Sequence, residues 1–141
     1  EVSPDQVMEN FRVAYLNQKE PLHFRKLRVD DLSDTIDSEF DTHVKVVYTD
    51  HGAEHSFDAV GNGPIDAVRR GLAEELSVNI KVLDYEEHAL QSGSNSQAAA
   101  YIHLLDGDTG HVTYGVGVSS NITRASIRAI FSAVNRLGLK K

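Results

Sequence analysis

His55-Ser56-Phe57-Asp58-Ala59-Val60-Gly61 and His111-Val112-Thr113-Tyr114-Gly115-Val116-Gly117 are the two stretches on which the fold turns. Each reads as a strand running into a glycine, and within five residues each glycine is followed by an isoleucine, Ile65 or Ile122, that opens an amphipathic helix. A strand-glycine-helix unit met twice in one chain points to an internal repeat.

Working outward, each unit gains two further strands. Before the first stretch lie strand patterns near Leu22–Val29 and His43–Thr49, with Asp50-His51-Gly52 as the turn into Glu54–Val60. After it, Pro64 suits the first helical position. Ile65, Val68, Leu72 and Leu76 then form one helical face to about Ser77. The second unit repeats the order with strands near Asn79–Tyr85, Gln97–Leu105 and His111–Val118 and the turn Gly107-Asp108-Thr109-Gly110. Its helix spans about Asn121–Leu137, with Ile122, Ala125, Ala129, Ile130, Ala133 and Val134 inward and Gly138 as the stop. The expected fold is therefore α+β, an internally duplicated pair of β-β-β-α units with pseudo-twofold symmetry. A single six-strand layer with two helices on one face leaves an apolar face open, and a symmetric dimer is the economical cover.

Ser3-Pro4-Asp5-Gln6 has the capping pattern of a helix start, and Val7, Phe11, Ala14 and Tyr15 share one helical face before Pro21. This predicts a short linker helix within residues 1–20, ahead of a domain over 21–141 whose repeats run about 22–78 and 79–138. Glu1 in place of an initiator Met reads as a boundary inside a longer protein.

Composition narrows the function. The 141 residues carry a formal net charge of −7 and include no cysteine. Nucleic acid and anionic membrane surfaces are poor partners for that charge, and thiol chemistry, disulfides and Cys-ligated zinc are excluded. No window approaches the ~20 apolar residues of a spanning helix, and the expected compartment is the cytoplasm.

Gly61-Asn62-Gly63-Pro64-Ile65 sits where a strand hands over to a helix. Its glycines allow close backbone approach, and the first helical amides are unpaired at the positive end of the dipole, so a carboxylate can dock there. The competing reading is a plain tight turn. Ser119 and Ser120, at the matching place in the second unit, read as helix caps rather than nucleophiles because no base stands beside them. His51 and His55 stand i, i+4 in a hairpin, where that spacing is about 13 Å at ~3.3 Å per residue, so they make no metal pair. Asp84-Tyr85-Glu86-Glu87-His88 holds the groups of an acid–base cluster, set against a solvated loop with ion pairs. Ala98-Ala99-Ala100, Ala125, Ala129 and Ala133 imply close helix-to-sheet packing, and Gly71 inside a helix implies that something packs against it.

Taken together, Gly61-Asn62-Gly63-Pro64-Ile65-Asp66-Ala67, Leu83-Asp84-Tyr85-x-x-His88-Ala89, Gln97-Ala98-Ala99-Ala100-Tyr101, Gly115-Val116-Gly117 with Ile122-Thr123-x-Ala125-Ser126, and Ala133-Val134-Asn135-Arg136 resemble the C-terminal regulatory domain of 2-isopropylmalate synthases, most of all the actinobacterial type. The likeness runs from about Pro21 to Leu137. It implies a domain that dimerises and binds L-leucine as a feedback inhibitor. Gly61, Asn62, Gly63, Pro64 and Ala67 would hold the amino-acid backbone, and Ile65, Val82, Tyr85, Ala89, Ser96 and Ala98 would line the side-chain pocket. Ser94-Asn95-Ser96 departs from the more acidic stretch of that family, which leaves the ammonium partner open. The resemblance also implies that this chain needs no cofactor: the catalytic barrel, its divalent metal and the condensation of acetyl-CoA with 2-oxoisovalerate belong elsewhere in the parent acyltransferase. The alternatives are the related domain of a citramalate or homocitrate synthase sensing another amino acid, a dimerisation module without ligand response, and an acid–base enzyme using His88 with Glu86 or Glu87.

Overall fold

The computed structural model describes residues 21–32, 40–89 and 97–138. The expected linker helix and Ser96 lie outside the described residues. The element order is β1 (Leu22–Asp31), β2 (Thr42–Asp50), β3 (Ala53–Gly61), α1 (Pro64–Leu76), β4 (Ile80–Ala89), β5 (Ala98–Asp106), β6 (Val112–Ser119) and α2 (Ile122–Arg136). The strands make two three-stranded antiparallel sheets, β1-β2-β3 and β4-β5-β6. This confirms the duplicated β-β-β-α order and corrects the single six-strand layer.

Alternation places Val44, Val46 and Tyr48 of β2, and Ile102 and Leu104 of β5, on the inner faces, all essentially inaccessible. Val68 and Leu72 of α1 and Ile127 and Ile130 of α2 close over them. Each such aliphatic side chain contributes about 1.5–3 kcal/mol on burial. The helices also cross over: α1 touches β4, α2 touches β1, and the two helices touch each other. Asn135 fastens this exchange, accepting from the Leu22 amide at 3.0 Å and donating to the Leu22 carbonyl at 2.9 Å.

The duplication extends to an irregularity. β1 slips register on β2 between Phe24 and Lys26, and β4 slips on β5 at the matching place, between Val82 and Asp84. Counting from that bulge makes Phe57 the counterpart of Gly115 and Ala59 of Gly117. The two stretches that reveal the repeat in sequence therefore lie two residues out of step in space. The cause is the turns: His51 (φ 50°) and Gly52 (φ 87°) close the first hairpin as a left-handed pair, whereas Gly107 to Gly110 make the second turn longer.

Counterpart positions also show how each helix comes close to its sheet. In the first unit Phe57 and Ala59 occupy the space a side chain on Gly71 would fill. In the second the small residues change sides. Gly115 and Gly117 on the strand lie against the backbone of α2 around Ala129, Ala133 and Ala125. α2 also guards the open edge of β6: Arg128 donates to the Val118 carbonyl at 2.7 Å and the Ser132 hydroxyl accepts from the Val116 amide at 3.3 Å.

β4 runs to Ala89, past the end expected near Tyr85. Glu86, Glu87 and His88 are strand residues, not loop. Weak strand propensity at these positions is overridden because Glu87 and His88 pair with Ala100 and Ala99, whose small side chains leave room across the ladder.

Candidate functional site

The first-helix N-terminus is built from residues that leave it open. Gly63 is the N-cap at φ 87° and ψ 168°, with no side-chain cap, and Pro64 follows without an amide hydrogen. α2 solves the same problem internally: the Asn121 side chain accepts from the Arg124 amide at 2.9 Å. Gly61 ends β3 pressed against the first turn of α1, where any β-carbon would meet Ala67 and Asp66. Gly63, by contrast, faces open space.

Asp66 organises the loop. Its carboxylate accepts from the Asn62 amide at 3.0 Å, from Arg70 at 2.8 Å and from Arg69 at 2.9 Å. Partial burial on its own would raise its pKa, but the bonds from Arg70, Asn62 and Arg69 outweigh that and hold it at about 2, below the ordinary 3.8. Arg69 also donates to the Ile80 carbonyl at 3.0 Å, tying the helix start to β4. From the other side, Asp41 accepts from the Gly63 amide at 3.2 Å. With Asn62 and Gly63 engaged and Ala67 bonded to the Gly63 carbonyl at 3.1 Å, the amides of Ile65 and Asp66 are, among the described residues, the first-turn donors left for an incoming anion.

Asn62, Ile65, Asp66, Arg69, Lys81 and Val82 line one open hollow of about 540 Å³ beside this terminus. Of the residues expected at the site, the structure thus brings together Asn62, Ile65 and Val82, with Gly63 and Pro64 in the adjoining turn. Ala67 is fully buried in the core beneath Gly61. Tyr85 shares the inner face of β4 with Val82 but leans on α2, its hydroxyl 2.7 Å from that of Ser126 and donating to Glu87 at 2.6 Å. Burial, then the Glu87 carboxylate, push the Tyr85 pKa up. Ala89 and Ala98 pair at the far end of β4 and β5. Asp66, Arg69, Lys81 and Asp41 were missed by the sequence reading. An acid and an arginine at i, i+3 in the first turn of a helix were the available signal for two of them.

The acid–base alternative is not assembled. Strand alternation sends Tyr85 and Glu87 to the inner face and Glu86 and His88 to the outer, where His88 meets Tyr101 edge-on at 5.6 Å. His51 pairs with Asp50 at 2.7 Å and His55 stacks on Tyr48 at 5.4 Å. Among the described residues no group of three or more His, Asp or Glu is placed to hold a metal, and no helix is long and apolar enough to cross a membrane.

These features define a class: a duplicated α+β domain of two interlocked βββα units, with one helix N-terminus left uncapped beside a hollow. The chain belongs to the family described as the LeuA allosteric (dimerisation) domain, whose model matches residues 1–138. It is 34% identical over 140 residues to a 2-isopropylmalate synthase of Clostridium acetobutylicum, covering 99% of this chain and 25% of that protein. It is 37% identical over 136 residues to a 2-isopropylmalate synthase of Mycobacterium leprae, covering 96% of this chain and 21% of that protein. A third, from Kineococcus radiotolerans, is 46% identical over 112 residues, covering 79% of this chain and 18% of the relative. The chain therefore spans a quarter or less of the length of these relatives.

Proposed function

We propose that this chain is the leucine-sensing regulatory domain of a 2-isopropylmalate synthase, binding L-leucine as end-product inhibitor and dimerising. Residues 1–20 serve as its link to the rest of the polypeptide, the domain proper being 21–141. The observation that carries the reading is the contrast between the two helix starts: Asn121 caps α2, while α1 begins at Gly63 with no cap, beside a hollow walled by Ile65 and Val82. The leucine carboxylate takes the Ile65 and Asp66 amides, helped by Lys81 at the hollow's wall. Its isobutyl group lies on Ile65 and Val82. Acetyl-CoA, 2-oxoisovalerate and the divalent metal are then handled by the part of the longer protein beyond this chain, in keeping with its coverage of about a quarter of the relatives.

A helix N-terminus favours an anion by roughly 0.3–1 kcal/mol and burial of a leucine-sized side chain adds about 1.5–3 kcal/mol. Those two sources alone give a dissociation constant between about 1 mM and a few tens of millimolar. Calorimetry and thermal melts with leucine, isoleucine and valine test the proposal. At about 100 times the dissociation constant, a ligand bound only by the folded state adds roughly 2.7 kcal/mol. Leucine is expected to raise the melting temperature most and to shift the backbone amides of Ile65 and Asp66. If leucine raised to about 100 mM moves neither, the chain is not a leucine sensor at this site.

A further inference from the structure

The two sheets share a strand order, a register and a bulge, so their positions pair off, yet the faces opposite the inner core differ in kind. On β2 and β3 that face carries His43, Lys45, Val47 and Thr49 beside Glu54, Ser56, Asp58 and Val60. The counterparts on β5 and β6 are Ala99, Tyr101, His103 and Leu105 beside Val112, Tyr114, Val116 and Val118. Lys45 has become Tyr101, Thr49 Leu105, Glu54 Val112, Ser56 Tyr114 and Asp58 Val116. The bulge residue follows suit, Arg25 becoming Leu83. The first unit shows that the fold tolerates a polar outer face, so packing within a unit does not require the apolar one. Ala99 and Val116 on it are buried at 0% and 4% exposure, while Leu83, Val112 and Tyr114 stand 54%, 50% and 55% exposed, with a half-exposed His103 paired to Tyr114 among them. The remaining strand, β4, edges this patch with Lys81, Asp84, Glu86 and His88. A largely apolar, aromatic patch with a charged border is the anatomy of a protein interface.

We infer that the outer face of β5 and β6, with Leu83 and Tyr114 as anchors, is the surface through which this chain pairs with a second copy of itself. The inference rests on the dimerising function proposed above and says which face serves it. A second copy is the occupant because the chain belongs to a family described as a dimerisation domain. A twofold pair also sets the same patch against itself, so each copy supplies the apolar cover the other needs. The first unit offers no such match: like charges of Lys45 or Asp58 would meet across an axis through its face.

The test borrows residues from the first unit, which the fold already accepts at the counterpart positions. Val112→Glu with Tyr114→Ser should stay folded by circular dichroism and weaken the dimer at least tenfold in sedimentation equilibrium, whereas Glu54→Ala with Ser56→Ala should leave it unchanged. Because the chain has no cysteine, single nitroxide labels can be placed at Leu83→Cys and Ser56→Cys, and the dimer should show the shorter label-to-label distance at 83. This second measurement decides the matter should the double variant not fold. A wild-type chain that is monomeric at high micromolar concentration overturns the dimerising function itself. A wild-type dimer that survives the double variant unchanged, or whose labels at 56 are the closer pair, overturns only this face.

Discussion

Replacing Asp66 by Asn tests whether the glycine loop is held by charge. The Asp66 carboxylate sits at about 2 against an ordinary 3.8 because bonds from Arg70, the Asn62 amide and Arg69 together outweigh its partial burial. Standing at about 2 in place of 3.8 corresponds to about 2.4 kcal/mol of preference for the charged form. Its side chain is 26% exposed and Arg70 44% exposed, so solvent screening brings the figure to roughly 1–2 kcal/mol. The folded-state pKa lies below the unfolded one, so this stabilisation is fully present above about pH 5, declines from about pH 4, and is gone once the pH has fallen through about 2. Asp66→Asn removes the charge while keeping an acceptor for the Asn62 amide. At pH 7 the variant should lose roughly 1–2 kcal/mol, or about 4–8 °C in melting temperature for a domain of this size. Urea unfolding followed by circular dichroism from pH 7 to 2.5 measures both proteins, and their stability curves should converge toward the acid end. A gap that stays constant over that range would mean the lost energy was packing and not charge. Leucine affinity should fall with it, since the loop carrying Gly63 is then less fixed.

Two other substitutions probe how the units interlock. Asn135→Ala removes both hydrogen bonds to Leu22 and leaves two backbone groups to be satisfied elsewhere; denaturant titration should show a loss of about 1–3 kcal/mol, while Asn135→Asp, which cannot donate, should lose part of it. Gly71→Ala gains about 1 kcal/mol of helix propensity but meets Phe57 and Ala59, so overpacking of about 1–3 kcal/mol should prevail and the melt should fall. In a Phe57→Ala background the same change should become neutral or stabilising, as Ala129 opposite Gly115 already is in the second unit, and strictly additive effects would refute the account.

Much of this was legible because strand and helix periods and the turn glycines agree with one another. Alternation through Val44, Val46 and Tyr48, and the spacing of Val68, Leu72 and Leu76, give the inner faces without any knowledge of neighbours. What escaped depends on pairing. Glu86-Glu87-His88 has the composition of a loop and becomes strand only because Ala99 and Ala100 lie across from it. The number of sheets could not be read either, since nothing local says whether β1 joins β4 or β2 alone. At the site, Gly63 and Pro64 were recognisable from conformational demands, but Asp41 reaches Gly63 from another strand connection and Lys81 arrives through β4. Long-range neighbours of that kind leave no periodic trace.

The duplication supplies its own control, which is what makes the two asymmetries informative. Two units with one strand order, one bulge and one helix placement meet similar folding requirements, so a counterpart difference that neither the turns nor the helix-to-sheet packing explains is open to another use. By that reasoning the bare Gly63 against the capping Asn121 marks a place where stability was available and not taken. A side-chain cap contributes about 1 kcal/mol, and a helix start that forgoes it retains donors for something else. Tyr114 against Ser56 and Val112 against Glu54 run the opposite way, adding apolar surface that the fold does without in its other half. The first difference sits in unit one and the second in unit two. If leucine binds as proposed and the outer face of β5 and β6 pairs two copies, ligand and partner act on different halves of the chain. The contacts that join the two halves are α1 on β4, α2 on β1 and Asn135 on Leu22.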